Sequence, residues 1–233
     1  MALQVLVYKL SHLSYLFFMT PLLMFDFDGT LIDTGPDIVA AVNEFLAIKK
    51  APALPEETII NYIGRGLAEL VQAIAPETAA DLLQLKTIER EFLDVYDRHV
   101  LNNPRPLRDA VEFLRDCPYQ IAVVSNKRER FIPKILDHLG LMDLPWVALI
   151  GGDSLQHKKP HPMPLLTAMA KAGVSSENAY MVGDGFPDVG GAKACQIPCV
   201  AVDFGYGPIE ELMQAGATYR IRYFSELHQI LAK

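Results

Sequence analysis

Leu22-Leu23-Met24-Phe25-Asp26-Phe27-Asp28-Gly29-Thr30 is an apolar run that ends in two acids and a glycine. The run reads as a buried strand, and the acids stand two residues apart at its end. On a continuing strand both would point to the same side. Gly29 can turn the chain, so that the second acid swings beside the first. Paired carboxylates repel, and a hard, oxygen-seeking cation such as Mg2+ relieves the repulsion. With a phosphate bound there, one carboxylate is placed to attack phosphorus and the other to carry a proton. A bare acid pair with glycine also fits a solvated turn, but the preceding apolar run argues against it.

Downstream, short apolar runs alternate with helical patterns. Strands are expected at Tyr119–Val124, Trp146–Ile150, Ala179–Val182 and Cys199–Val202, with an edge strand at Tyr219–Tyr223. Phe131, Ile132, Ile135, Leu136 and Leu139 share one helical face, as do Leu165, Leu166 and Met169. Such alternation predicts an α/β fold: a doubly wound parallel sheet, a Rossmann-like core, with right-handed crossovers. From Gly35 to Leu101 the alternation stops and only helical patterns remain. The segment closes at Asn102-Asn103-Pro104. A helical cap inserted after the first strand lies above the place where open α/β sheets bind ligands. The expected division is therefore a core of residues 22–34 and 102–233 with a cap of residues 35–101. Residues 1–21 are read as an extension outside the fold. Lys9, Ser11, His12 and Ser14 interrupt its apolar character, and it lacks a small-residue cleavage site. No stable membrane association is expected.

A net charge of −7 argues against a nucleic-acid partner. Cys117, Cys195 and Cys199 are too few and too unevenly spaced for a disulfide framework or a zinc site, which suits a reducing cytoplasm.

Each later strand also ends in polar chemistry. Ser125-Asn126 offers a hydroxyl and an amide that can bond phosphate oxygens, or equally cap a helix. Lys158-Lys159-Pro160-His161-Pro162 follows the third strand. Lys159 supplies a compact positive charge for a phosphoryl group, while Lys158 is read as solvated and His161 as structural. Gly183-Asp184-Gly185-Phe186-Pro187-Asp188 closes the fourth strand. Asp184 would face a metal. Asp188 would complete that site through water or buttress Lys159. Acid pair, hydroxyl, lysine and acid pair thus recur in order at strand ends.

In this order, with a helical insertion between the first two, the motifs resemble those of the haloacid dehalogenase superfamily from about residue 20 onward. The resemblance is nearest to its phosphoglycolate phosphatase group. Ile63-Gly64-Arg65-Gly66, Val124-Ser125-Asn126-Lys127, Ile150-Gly151-Gly152-Asp153 and Gly205-Tyr206-Gly207 support it. Asp28 points away from the dehalogenase branch, which lacks the second acid. The resemblance implies a Mg2+-dependent phosphatase for a small monoester, 2-phosphoglycolate first. It implies Asp26 as nucleophile and Asp28 as general acid and base, with Ser125 and Lys159 binding the phosphoryl group. It also implies Mg2+ held by Asp26, the backbone carbonyl of Asp28 and Asp184. Chemistry agrees: phosphoryl transfer needs in-line positioning and neutralised equatorial oxygens. A sugar-phosphate phosphatase or phosphomutase of the same superfamily is the alternative. A receiver-type signalling domain is more remote, since its phosphoacceptor follows the third strand.

Three features depart from the group's pattern. Gly185, Phe186 and Pro187 replace small polar and basic residues, Gly190-Gly191 weakens a helix start, and Leu107-Arg108-Asp109 replaces a Pro-Gly turn. The substrate's second charge must then be read by the insertion. Among its basic residues Arg65 alone lies between two glycines, and its fork can grip a carboxylate.

Overall fold

The computed structural model describes residues 20–75 and 82–232, so the reading of residues 1–21 falls outside them up to residue 19. Strand β1 (Leu22–Phe25) is fully buried and alternates cleanly between two cores. Leu23 and Phe25 enter one, Leu22 and Met24 the other, because successive side chains of a strand face opposite ways. A strand buried on both faces has no room for polar residues, which is why the run is uniformly apolar.

After β1 come β2 (Ile32–Asp33) and four helices: α1 (Gly35–Ile48), α2 (Glu56–Ile60), α3 (Leu67–Ile74) and α4 (Leu82–His99). The chain continues through β3 (Arg105–Pro106), α5 (Ala110–Arg115), β4 (Gln120–Val124), α6 (Phe131–His138), β5 (Trp146–Ile150) and α7 (Met163–Ala172). It finishes with β6 (Ala179–Gly183), α8 (Phe186–Cys195), β7 (Cys199–Val202), α9 (Ile209–Ala215), β8 (Tyr219–Ile221) and α10 (Leu227–Leu231). The main sheet is parallel throughout, in the order β5-β4-β1-β6-β7-β8. The chain runs outward from β1 to β5, then returns to build β6 to β8 on the other side. That reversal puts a crevice at the carboxyl end of β1. The fold is the doubly wound α/β class that the alternation predicts.

Two details differ from the sequence reading. The two segments joining the helical insertion to the sheet pair as β2 and β3, antiparallel, with Ile32 opposite Pro106 and Asp33 opposite Arg105. Strands of two residues leave no periodicity to read. The edge strand stops at Ile221, because Arg222 and Tyr223 both donate their backbone N–H to Glu226 Oε1 instead of to a neighbour.

The helical insertion shares a core with the sheet. Phe45 packs edge-on to Phe92, Phe92 stacks on Tyr96, and Tyr96 meets Phe131 of α6 edge-on at 4.9 Å. Lys158, read as solvated, instead donates to the backbone carbonyl of Arg65 and pairs with Glu69 at 3.0 Å. It ties the loop after β5 to the insertion.

Candidate active site

Asp26 is the first residue beyond β1, still held to the sheet by its N–H on Val182 O at 2.8 Å. Its Oδ1 accepts the Phe27 N–H at 2.7 Å and lies 3.1 Å from Lys159 Nζ. Among the described residues its Oδ2 takes no hydrogen bond. Lys159 arrives fully buried from the loop after β5 and bonds Asp188 Oδ1 at 2.6 Å on its other side. Asp188 Oδ2 accepts the Gly185 N–H at 2.9 Å, fixing the start of α8. Asp184, at the end of β6, accepts Thr30 Oγ1 at 2.7 Å and the Tyr206 N–H at 2.8 Å.

Asp26, Asp184 and Asp188 each bring a carboxylate oxygen within 4.8 Å of the others. Lys159 pairs with two of these three buried acids, Asp26 and Asp188. Burial, then the charges of Asp26 and Asp188, push the Asp184 carboxyl up to about 8. Burial and the Asp26 charge push Asp188 up to about 7, against the pull of Lys159. Burial draws Lys159 down, but Asp188 and Asp26 outweigh it and hold its pKa above the ordinary value. A cluster this rich in negative charge, made only of oxygen donors, fits a hard divalent cation.

Close backbone approach makes the cluster possible. Gly29 has φ +79°, and a Cβ there would run into the Asp184 carboxylate and the Tyr206 ring. Gly190, read as weakening its helix, lets α8 approach Pro160, whose ring a Cβ would meet at 2.8 Å. The cost in helix propensity allows α8 to sit against the loop that carries Lys159.

Asp28 does not join this cluster through its side chain. Its Oδ1 accepts Thr34 Oγ1 at 2.6 Å and Lys127 Nζ at 2.8 Å. It stands on the wall of a small, separate cavity of about 70 Å3 between insertion and sheet. The sequence reading quoted Lys127 only within Val124-Ser125-Asn126-Lys127, with no role of its own, and it missed Thr34. Burial lowers the Lys127 pKa, but the Asp28 charge and Tyr96 more than offset it and hold it high.

A larger cavity of about 410 Å3 opens over Asp26, Lys159 and Asp184. Arg65 and Ile63 of the insertion line it, with Phe186 and Tyr206 at its rim. Arg65 is exposed, its guanidinium 5.5 Å from the Tyr62 ring centre. Ser125 is buried, and its Oγ accepts the Lys127 N–H at 3.3 Å. Asn126 spends its side chain on two loops. Its side-chain amide donates to Gly64 O and Lys159 O, both at 3.0 Å, so both side-chain N–H groups are engaged and the backbone N–H is the donor left for a phosphate oxygen. Among the described residues its Oδ1 is buried without a partner.

Residues 23–202 match the model of the haloacid dehalogenase-like hydrolases. The chain belongs to that family. The match runs from β1 through the last residue of β7 and therefore contains Asp26, Asp28, Asp184 and Asp188. The phosphoglycolate phosphatase of Colwellia psychrerythraea is 34% identical over 213 residues, 88% of this chain and 94% of that one. Phosphoglycolate phosphatase 1 of Pseudomonas aeruginosa is 38% identical over 200 residues, 82% and 73% of the two chains. Among solved structures, a predicted phosphoglycolate phosphatase of Haemophilus somnus superposes with a TM-score of 0.81 at 27% identity. That match covers 91% of this chain and 98% of the other. The haloacid dehalogenase-like chain is thus a hydrolase with a parallel α/β core.

Proposed function

We propose that the chain is a Mg2+-dependent phosphatase that hydrolyses 2-phosphoglycolate through a phosphorylated Asp26. The carrying observation is the floor of the larger cavity: a buried carboxylate with one oxygen pinned by Lys159 and Phe27 N–H, the other free of donors among the described residues.

In this reading Asp26 attacks phosphorus, and the ester oxygen leaves with a proton from Asp28. Asp28 then takes a proton from the water that cleaves the aspartyl phosphate, returning Asp26 to a carboxylate. Lys159 neutralises the phosphoryl oxygens, and Asp188 orients Lys159 through their 2.6 Å contact. Asp26, Asp184 and the backbone carbonyl of Asp28 would hold Mg2+, which when bound supplies charge neutralisation to the phosphoryl group. Ser125 is assigned to the phosphoryl group as well. Asn126 is assigned to joining the Gly64 and Lys159 loops. Residues 35–101 act as a cap over the core of residues 22–34 and 102–233. Three free thiols accord with a cytoplasmic setting, and no helix of the described residues is long and apolar enough to cross a membrane.

The substrate assignment is supported by the names of the relatives and by Arg65, which lines the same cavity as Asp26. Its fork is suited to the substrate carboxylate. Arg65→Ala should raise KM for 2-phosphoglycolate roughly 10- to 100-fold, the worth of a charged hydrogen bond. Turnover of p-nitrophenyl phosphate should barely change. Equal losses on both would make Arg65 part of cap closure instead. The function itself is tested by turnover of a panel of phosphate monoesters with and without Mg2+. Brisk hydrolysis of a sugar phosphate beside negligible hydrolysis of 2-phosphoglycolate would end the substrate assignment.

A further inference from the structure

Lys127 is a buried cation that the mechanism above leaves without a task. Its ammonium donates to Asp28 Oδ1 at 2.8 Å and to Tyr96 OH at 2.7 Å. Tyr96 belongs to α4 of the helical insertion, and its ring is held by Phe92 on one side and Phe131 on the other. The lysine is thus fixed by a residue of the insertion, while it fixes an acid of the core. The second donor to Asp28, Thr34 Oγ1 at 2.6 Å, lands on the same oxygen. Among the described residues Asp28 Oδ2 takes no hydrogen bond.

Two donors on one carboxyl oxygen have a chemical consequence. In either protonation state Oδ1 is the acceptor, so any proton the group carries resides on Oδ2. The carboxyl plane is fixed as well, because both contacts cross to different elements. A group that must first give a proton to a leaving oxygen and later take one from water needs one lone pair aimed the same way in both steps. An acid free to rotate would lose that aim.

We propose that Lys127 is a positioning residue for Asp28, itself held by Tyr96, and that it fixes Oδ2 as the oxygen through which the proton passes. The inference rests on the phosphatase reading and on Asp28 as its acid and base. It makes seating of α4 against the core a condition for proton transfer.

The leaving group separates this role from a merely structural one. Glycolate is a poor leaving group and needs its proton, whereas p-nitrophenolate departs without one. Lys127→Met should lower kcat/KM for 2-phosphoglycolate roughly 100-fold, the lower end of what a general acid contributes. For p-nitrophenyl phosphate the loss should stay within about threefold, since kcat/KM reports steps up to departure of the leaving group. Lys127→Arg, which keeps a donor and the charge, should recover part of the loss. Tyr96→Phe keeps the ring packing and removes only the hydroxyl. It should show the same preference on a smaller scale, and it decides alone if Lys127→Met fails to fold. Parallel losses on the two esters overturn the inference and leave the phosphatase reading standing. A wild-type protein inactive on every monoester, with Mg2+ present, overturns both.

Discussion

Asp26→Asn is expected to cut turnover by about 10^4-fold or more, the scale seen when a covalent nucleophile is removed. An amide oxygen lacks the charge to attack phosphorus, and no neighbour can replace it. Asp184 is bonded by Thr30 and Tyr206, and Asp188 by Lys159 and Gly185. The fold should survive. Asparagine has nearly the same shape, and its carbonyl can still accept the Phe27 N–H. Lys159 loses one charged partner but keeps Asp188 at 2.6 Å. Removing one of three crowded negative charges should even ease the metal-free protein, so its melting temperature should not fall. Multiple-turnover assays, with mass spectrometry to exclude deamidation and circular dichroism to check folding, decide the matter. Substantial turnover by the intact Asn variant would sink the covalent mechanism.

What could be read ahead of the structure followed from local pattern. The alternation of β1 between two cores is a period of two residues, and the acids at strand ends lie beside the runs that place them. Asp184 and Asp188 could be placed near Asp26 because parallel strands put their carboxyl ends together. What escaped depends on contacts between distant residues. Tyr206 OH donates to Asp33 at 2.7 Å and accepts the Gly35 N–H at 2.7 Å, so the loop after β7 pins the entry to the insertion. Nothing near Tyr206 in the chain announces that. Asn126 illustrates a different limit. Its type fits phosphate binding, but its two amide hydrogens are claimed by carbonyls from two loops, and only geometry reveals the competition. The glycines of α8 mislead in a third way. Propensity counts what a helix loses to glycine, not what a neighbouring loop gains by approaching it.

The metal-free protein should become less stable as pH rises from 5 to 8, and Mg2+ should cancel that trend. Burial and crowding lift the carboxyls of Asp184 to about 8 and Asp188 to about 7, from an ordinary value of 3.8. Between those limits the folded chain holds protons that the unfolded chain has released. Stability therefore falls with rising pH across the window, because the native state is the one that binds more protons. Groups with depressed values, Glu44, Asp97 and Asp109, act in the opposite sense, but they titrate below the window. With two groups contributing, the metal-free melting temperature should drop by roughly 10 °C or more for a chain of this size. Mg2+ binds the native cluster in competition with protons, so its stabilisation should grow toward pH 8 and flatten the profile. Asp184→Asn should remove much of the metal-free slope and most of the response to Mg2+. Scanning calorimetry at fixed ionic strength, after chelation and after Mg2+ addition, provides the comparison. A metal-free melting temperature that holds or climbs from pH 5 to 8 would mean that the three carboxylates are not crowded as described. A Mg2+ response unchanged in Asp184→Asn would place the ion elsewhere.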